Sequence, residues 1–124
     1  MKTKEIAFVC YGVKNLKRAR KFYEGTLGLK PSSVWEGGKM GFVEYWMGPH
    51  TLAIGMGAKN FKPGKAGATV ALEVDNFDSS VKHLKSKKVK FLMKPFESKT
   101  CWMALIPDTE GNQIMIHQRK KRSK

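Results

Sequence analysis

Apolar positions along the chain fall into short β-type runs and two helix-type runs, in an order that occurs twice. Residues 6–13 (IAFVCYGV) are β-rich with both faces apolar, which predicts a strand. Asn15 is a helix N-cap residue, and Leu16, Ala19, Phe22, Tyr23 and Leu27 recur at three- and four-residue spacing as far as Gly28, a natural stop. That spacing predicts one amphipathic helix, with Lys17, Arg18, Arg20 and Lys21 mostly on its wet side. Three strands follow over 29–36, 40–47 and 51–56, separated by turns at Gly37-Gly38 and Gly48-Pro49. Residues 57–67 (GAKNFKPGKAG) have no periodicity and read as a linker. The plan then repeats, with a strand over 68–75, a helix over 78–88 with Val81 and Leu84 inward, and strands over 89–95, 100–107 and 113–118.

The two halves also align residue by residue. Val13-Lys14-Asn15-Leu16 matches Val74-Asp75-Asn76-Phe77 at an offset of 61, and Leu52-Ala53-Ile54 matches Ile114-Met115-Ile116 at an offset of 62. An offset that stays nearly constant across both ends of a half marks an internal repeat. The expected fold is therefore α+β: two βαβββ modules, 1–56 and 68–118, in one domain over 1–118, each a small sheet covered by one helix. Strand parity sorts the faces. Leu52, Ile54, Met56, Val70, Leu72, Val74, Ile114 and Ile116 are aliphatic and should pack on the helices. The opposite parity is chemically mixed: Phe8 and Cys10, Thr51 and Ala53, Thr69, Ala71 and Glu73, Met115 and His117. Small, polar and aromatic residues on one sheet face are what a ligand cleft needs. A face buried against a partner chain or half-solvated is the alternative.

Composition narrows the class. A chain of 124 residues with 41% apolar content is long enough for one real core, and no apolar run reaches the roughly 18 residues that span a membrane. A soluble protein is expected. The N-terminal MKTKEIAFVCYGV has two lysines before its apolar run, yet it is too short for a secretion signal and has no small-residue cleavage site. Cys10 and Cys101 lie in separate strand-like segments and are expected to be free thiols in a reducing cytoplasm. Net charge is +14; five of those charges lie in the last six residues, which leaves +9 on the body. The tail 119–124 has too little apolar content to pack and is expected to be a solvated end.

Three features resemble one family. They are the repeat, the segment Asn15 to Leu29 with its Phe22-Tyr23 pair and Leu27-Gly28-Leu29, and the closing run Pro107-Asp108-Thr109-Glu110-Gly111-Asn112. Together these resemble the vicinal oxygen chelate superfamily, the glyoxalase, bleomycin-resistance and extradiol-dioxygenase group. The resemblance implies paired βαβββ modules forming an open, cup-shaped mixed sheet with helices outside, usually within a dimer. It also implies a divalent metal held by ligands on the first and fourth strand of each module. Carried onto this chain, those positions are Phe8, Ala53, Thr69 and Met115. Phe and Ala have no donor, Met is a soft thioether and a lone Thr hydroxyl binds weakly, so no metal cofactor is expected.

The leading expectation is thus a metal-free binding protein for a small organic molecule. Its candidate contacts are Phe8, Cys10, Ala53, Thr69, Ala71, Met115 and His117, with Trp35, Trp46 and Trp102 as aromatic walls. The parity of the middle strands is not fixed by the sequence, so core or dimer interface is the competing place for the tryptophans. The charge favours an anionic or aromatic-acid ligand over a cationic one. A second expectation is an enzyme of the same group with relocated active residues, Glu73 and His117, joined by the Cys10 thiol. His117 as a water-facing strand end, and Glu73 paired with a lysine, are the plain structural alternatives. A third is sequence-indifferent nucleic-acid binding through the tail and Lys82, Lys85, Lys87 and Lys88.

Overall fold

A computed structural model describes residues 1–2, 5–59 and 61–121. The chain divides into two compact units, Met1–Gly64 and Lys65–Lys124, a boundary that falls inside the segment read as a linker. The first unit contains strand β1 (Val9–Gly12), helix α1 (Leu16–Arg20) running into a π-helical segment (Lys21–Thr26), and strands β2 (Ser33–Gly37), β3 (Met40–Met47) and β4 (His50–Met56). The second contains β5 (Val70–Glu73), α2 (Phe77–Ser86), β6 (Met93–Glu97), β7 (Cys101–Pro107) and β8 (Gln113–Arg119). Each unit is an open four-stranded sheet, in the orders β1-β4-β3-β2 and β5-β8-β7-β6. The first strand of each is parallel to the last and the remaining pairs are antiparallel, so both sheets are mixed and the fold is α+β.

Helix α1 begins where the sequence predicts, behind Asn15, whereas α2 runs over Phe77–Ser86 rather than 78–88 and is capped by Asn76. The Asn15 side chain accepts the Arg18 N–H and the Asn76 side chain accepts the Ser79 N–H, each satisfying one of the unpaired donors of a helix start. In the first unit Leu16, Ala19, Phe22 and Tyr23 are buried, and Tyr23 stacks on Tyr45 of β3 with ring centroids 6.0 Å apart. Val43, Leu52 and Ile54 are wholly buried on the same sheet face as Tyr45, as parity requires. In the second unit Phe77, Val81 and Leu84 of α2 are buried, as are Ala104, Ile106, Ile114 and Ile116 on one face of β7 and β8. One face of each sheet is therefore closed by its helix, and the other is left for a site.

Several element limits differ from expectation. The single helix read through Gly28 changes register at Lys21; the Leu27 N–H reaches the Phe22 carbonyl, a wider turn that lets adjacent Phe22 and Tyr23 both point inward. The strand expected over 29–36 runs from Ser33 to Gly37, with the Ser32 N–H already bonded to the Glu44 carbonyl, and Pro31 before it has no N–H to extend the ladder. The strand expected over 89–95 lies at Met93–Glu97, and its register slips between Met93 and Phe96, around Pro95. The first and fifth strands are shorter than read, Val9–Gly12 and Val70–Glu73, each lying at the end of its unit's sheet order.

The basic tail is a larger correction. Arg119 completes β8, the Lys120 N–H donates to the Thr100 carbonyl, and the Lys120 ammonium is 2.5 Å from Glu97 Oε2 and 4.9 Å above the Trp102 ring. Pairing beside β7 and a carboxylate hold these residues where composition alone predicts a loose end. Residues 122–124 of that expectation lie outside the described residues.

Candidate functional site

In the first unit, the sheet face turned away from the helix is aromatic. The Gly48-Pro49 turn pairs Met47 with His50, which places Phe42, Glu44 and Trp46 on the same face as Ala53 and Thr51, and β2 adds Trp35 opposite Phe42. Phe8 precedes β1 and meets Phe42 edge-to-face at 5.6 Å, and Phe42 stacks on Phe61 at 6.2 Å. Phe61 comes from the segment read as a linker. It has room because Gly12 and Gly55 pair in register: a Cβ on Gly55 would lie 2.6 Å from the Phe61 ring, and one on Gly12 2.5 Å from its backbone. Phe8, Trp35 and Trp46 are each about half exposed, at 47%, 53% and 60%. The parity that the sequence left open is thus settled for Trp35 and Trp46: both lie on the open face.

Trp102 is the exception among the aromatic walls. It pairs with Gln118, so it alternates away from Met103 and His117 and lies on the helix-covered face. There it borders a small cleft with Asn76, Phe77 and Gln118, where the Phe77 N–H donates to Gln118 Oε1 at 2.7 Å. Cys10 shares the open face beside Ala53; burial pushes its thiol up to about 11, and its Sγ donates to the Tyr11 carbonyl. Both cysteines are free, one in each unit.

In the second unit, the face away from α2 carries Ala71 and Glu73 on β5, Met115 and His117 on β8, and Met103 and Leu105 on β7. Thr69 is exposed just before β5, and Met115 is half-buried between Ala71 and Leu105. Glu73 and His117, named from parity alone, are brought together: Nδ1 lies 2.6 Å from Oε1, and Oε2 accepts the Arg119 N–H at 2.7 Å. The partner of Glu73 is thus a histidine and a backbone amide rather than a lysine. Desolvation works to raise the Glu73 pKa, but the Arg119 N–H, the His117 hydrogen bond and the positive charge nearby outweigh it and hold the carboxyl below its usual value. His50 begins β4 of the first unit, and His83 lies on α2.

The four positions at which the superfamily binds metal do not fit a hard divalent ion. Phe8 presents a ring, Ala53 is fully buried between Cys10 and Glu44, Thr69 offers one exposed hydroxyl and Met115 a thioether. Among the described residues, no three His, Cys, Asp or Glu side chains gather around a common point. Sequence reading missed Phe42, Glu44, Met103, Leu105 and Phe61. The first four follow from hairpin pairing once the turn length is used, whereas Phe61 has no local signal because it packs from an irregular segment. Among the described residues, no helix is long and apolar enough to cross a membrane.

Solved structures share this architecture over nearly their whole length. TnmS3, an antibiotic binding protein from Streptomyces sp. CB03234, superposes with a TM-score of 0.82 at 19% identity, covering 97% of this chain and 99% of that one. A member of the glyoxalase/bleomycin resistance protein/dioxygenase superfamily from Sphaerobacter thermophilus DSM 20745 gives 0.74 at 20% identity, with coverage of 94% and 98%. A glyoxalase/bleomycin resistance protein from Streptomyces sp. CB03234 gives 0.74 at 20%, with coverage of 92% and 100%. No curated protein sequence shows a significant match. The family model for this fold matches residues 5–116, nearly the full described chain, and the chain belongs to the Glyoxalase/Bleomycin resistance protein/Dioxygenase superfamily.

Proposed function

We propose that this protein binds a small organic molecule with an aromatic part and does so without a metal. The observation that carries the proposal is the open aromatic face of the first sheet, where Trp35 and Trp46 stay half exposed beside Phe8 and Phe42. Leaving two indoles in water is unfavourable unless something covers them, and flat rings offer large contact area at little entropic cost. The antibiotic-binding description of TnmS3 supports the same class of ligand, and a net charge of +14 favours an anionic or neutral molecule over a cationic one. Cys10 lies on the same face of the first sheet, beside the buried Ala53. A homodimer belongs to the proposal and is checked by sedimentation equilibrium.

The test is a titration of antibiotics, aromatic acids and thiol conjugates, followed by tryptophan fluorescence and repeated with and without divalent metal. Saturable quenching without metal is expected. Trp35→Ala or Trp46→Ala should weaken the binding about tenfold, roughly 1.4 kcal/mol. Quenching or thermal stabilisation that requires stoichiometric metal would overturn the proposal.

A second reading rests on the 2.6 Å contact between Glu73 and His117. A carboxylate that fixes one imidazole nitrogen leaves the other for proton transfer, the arrangement of a general base. An enzyme of this kind would lose turnover in Glu73→Gln while still binding its ligand; unchanged turnover in that variant would exclude it.

A further inference from the structure

We propose that the cleft beside the end of β8 is an oxyanion site, taking the carboxylate or phosphate group of a small molecule. The half-open cleft has a volume of about 520 Å³, with walls from the β6–β7 turn (Lys99, Thr100, Cys101) and the end of β8 (His117, Arg119 to Lys121). It belongs wholly to the second unit and does not depend on the aromatic face of the first.

Its charges are unevenly spent. The Lys120 ammonium is committed to Glu97 and to the Trp102 ring. Among the described residues, Lys99, Arg119 and Lys121 have no ion-pair partner within 4.0 Å. Glu73 bonds two of the lining residues, and both its oxygens are occupied, one by His117 and one by the Arg119 N–H. That arrangement fixes the backbone from which the Arg119 side chain springs and leaves His117 Nε2 as the ring nitrogen available to the cleft. The β6–β7 turn is held just as firmly: Ser98 Oγ accepts the N–H groups of both Thr100 and Cys101. Three cations and an imidazole around a concave space, on a braced turn and a strand end, are the components of an oxyanion site. A guanidinium fork adds a preference for planar carboxylate and phosphate groups. The shape favours a small molecule over a nucleic acid, because these charges surround one cleft and the lysines of α2 do not line it.

The experiment uses the full chain and inorganic phosphate, then benzoate, added at constant ionic strength and followed by amide chemical shifts. Saturable shifts are expected at Thr100, Cys101 and Arg119, with Kd on the order of 1 mM for phosphate alone. Arg119→Gln with Lys99→Gln should weaken binding about tenfold, whereas Lys82→Gln with Lys85→Gln removes the same charge from α2 and should leave it nearly unchanged. Equal loss in both pairs, or linear drift without saturation, would overturn the site. Tighter, steeply salt-dependent binding of a random-sequence DNA duplex through the same residues would replace the small anion with nucleic acid and also overturn it. Because the aromatic proposal is read by the loss of binding in Trp35→Ala or Trp46→Ala, in the other unit, either can fail without the other.

Discussion

Asp108 carries the clearest local chemistry in the chain. Its Oδ1 accepts the N–H groups of Glu110 and Asn112, both at 2.8 Å, and its Oδ2 accepts the Asn112 side-chain amide at 2.8 Å. Among the described residues, Asp108 and Asn112 are the two buried polar ones, and Gly111 between them has φ 87°. Asp108→Ala removes the acceptor of all three bonds and should destabilise the protein by about 2–4 kcal/mol in urea unfolding at neutral pH. Asp108→Asn keeps one accepting oxygen and should recover part of that loss. The turn was legible in Asp-Thr-Glu-Gly-Asn because its hydrogen bonds span at most four residues. The Glu73–His117 pair was only half legible. Parity put both on one face, but their adjacency rests on a strand register that joins residues 44 apart.

At the scale of elements, the repeat allows one unit to be compared with the other. Each helical segment ends near a residue in the left-handed region: Gly28 at φ 73° in the first unit and Lys88 at φ 61° in the second. Lys88 is exposed, and the N–H of Val89 closes the helix end on the Leu84 carbonyl, so its side chain gains nothing from packing to offset the crowding of its Cβ. Lys88→Gly should therefore stabilise the protein by about 0.5–1 kcal/mol in thermal unfolding. Lys87→Gly, at φ −88°, has no such strain to relieve and should destabilise it. Caps, turns and helix faces were readable because each is decided within one or two turns of chain. The π-helical segment and the displaced β6 were not, since burial of two adjacent aromatics and a missing proline N–H outweigh local propensity.

For the whole molecule, 24 basic residues face 10 acidic ones, so each carboxylate counts. Glu73 and Glu97 both lie below the ordinary carboxylate value of 4.5, Glu97 mainly through its hydrogen bond from Lys120. A carboxyl whose folded pKa is depressed contributes stability that is complete above its unfolded value and is lost as pH falls through the folded one. Thermal stability should then hold from neutrality to about pH 4.5 and fall below it, as lost carboxylates also leave the basic groups to repel one another. Glu73→Gln should lower stability at neutral pH and flatten the fall; an identical acid profile in that variant would show that the His117 and Arg119 contacts contribute nothing.

The sequence by itself determined the two βαβββ units, the helix faces, the turn at Asp108 and the side-chain chemistry offered at Phe8, Ala53, Thr69 and Met115. Each of these follows from periodicity, from local hydrogen bonding or from side-chain chemistry, none of which needs a distant partner. Only the tertiary structure decided that Trp35 and Trp46 lie on the open face while Trp102 lies under a helix, that Phe61 covers Gly12 and Gly55, and that Glu73 holds His117 and Arg119 beside a basic cleft. Those facts depend on register between strands far apart in the chain, where a shift of one residue exchanges the two faces of a sheet.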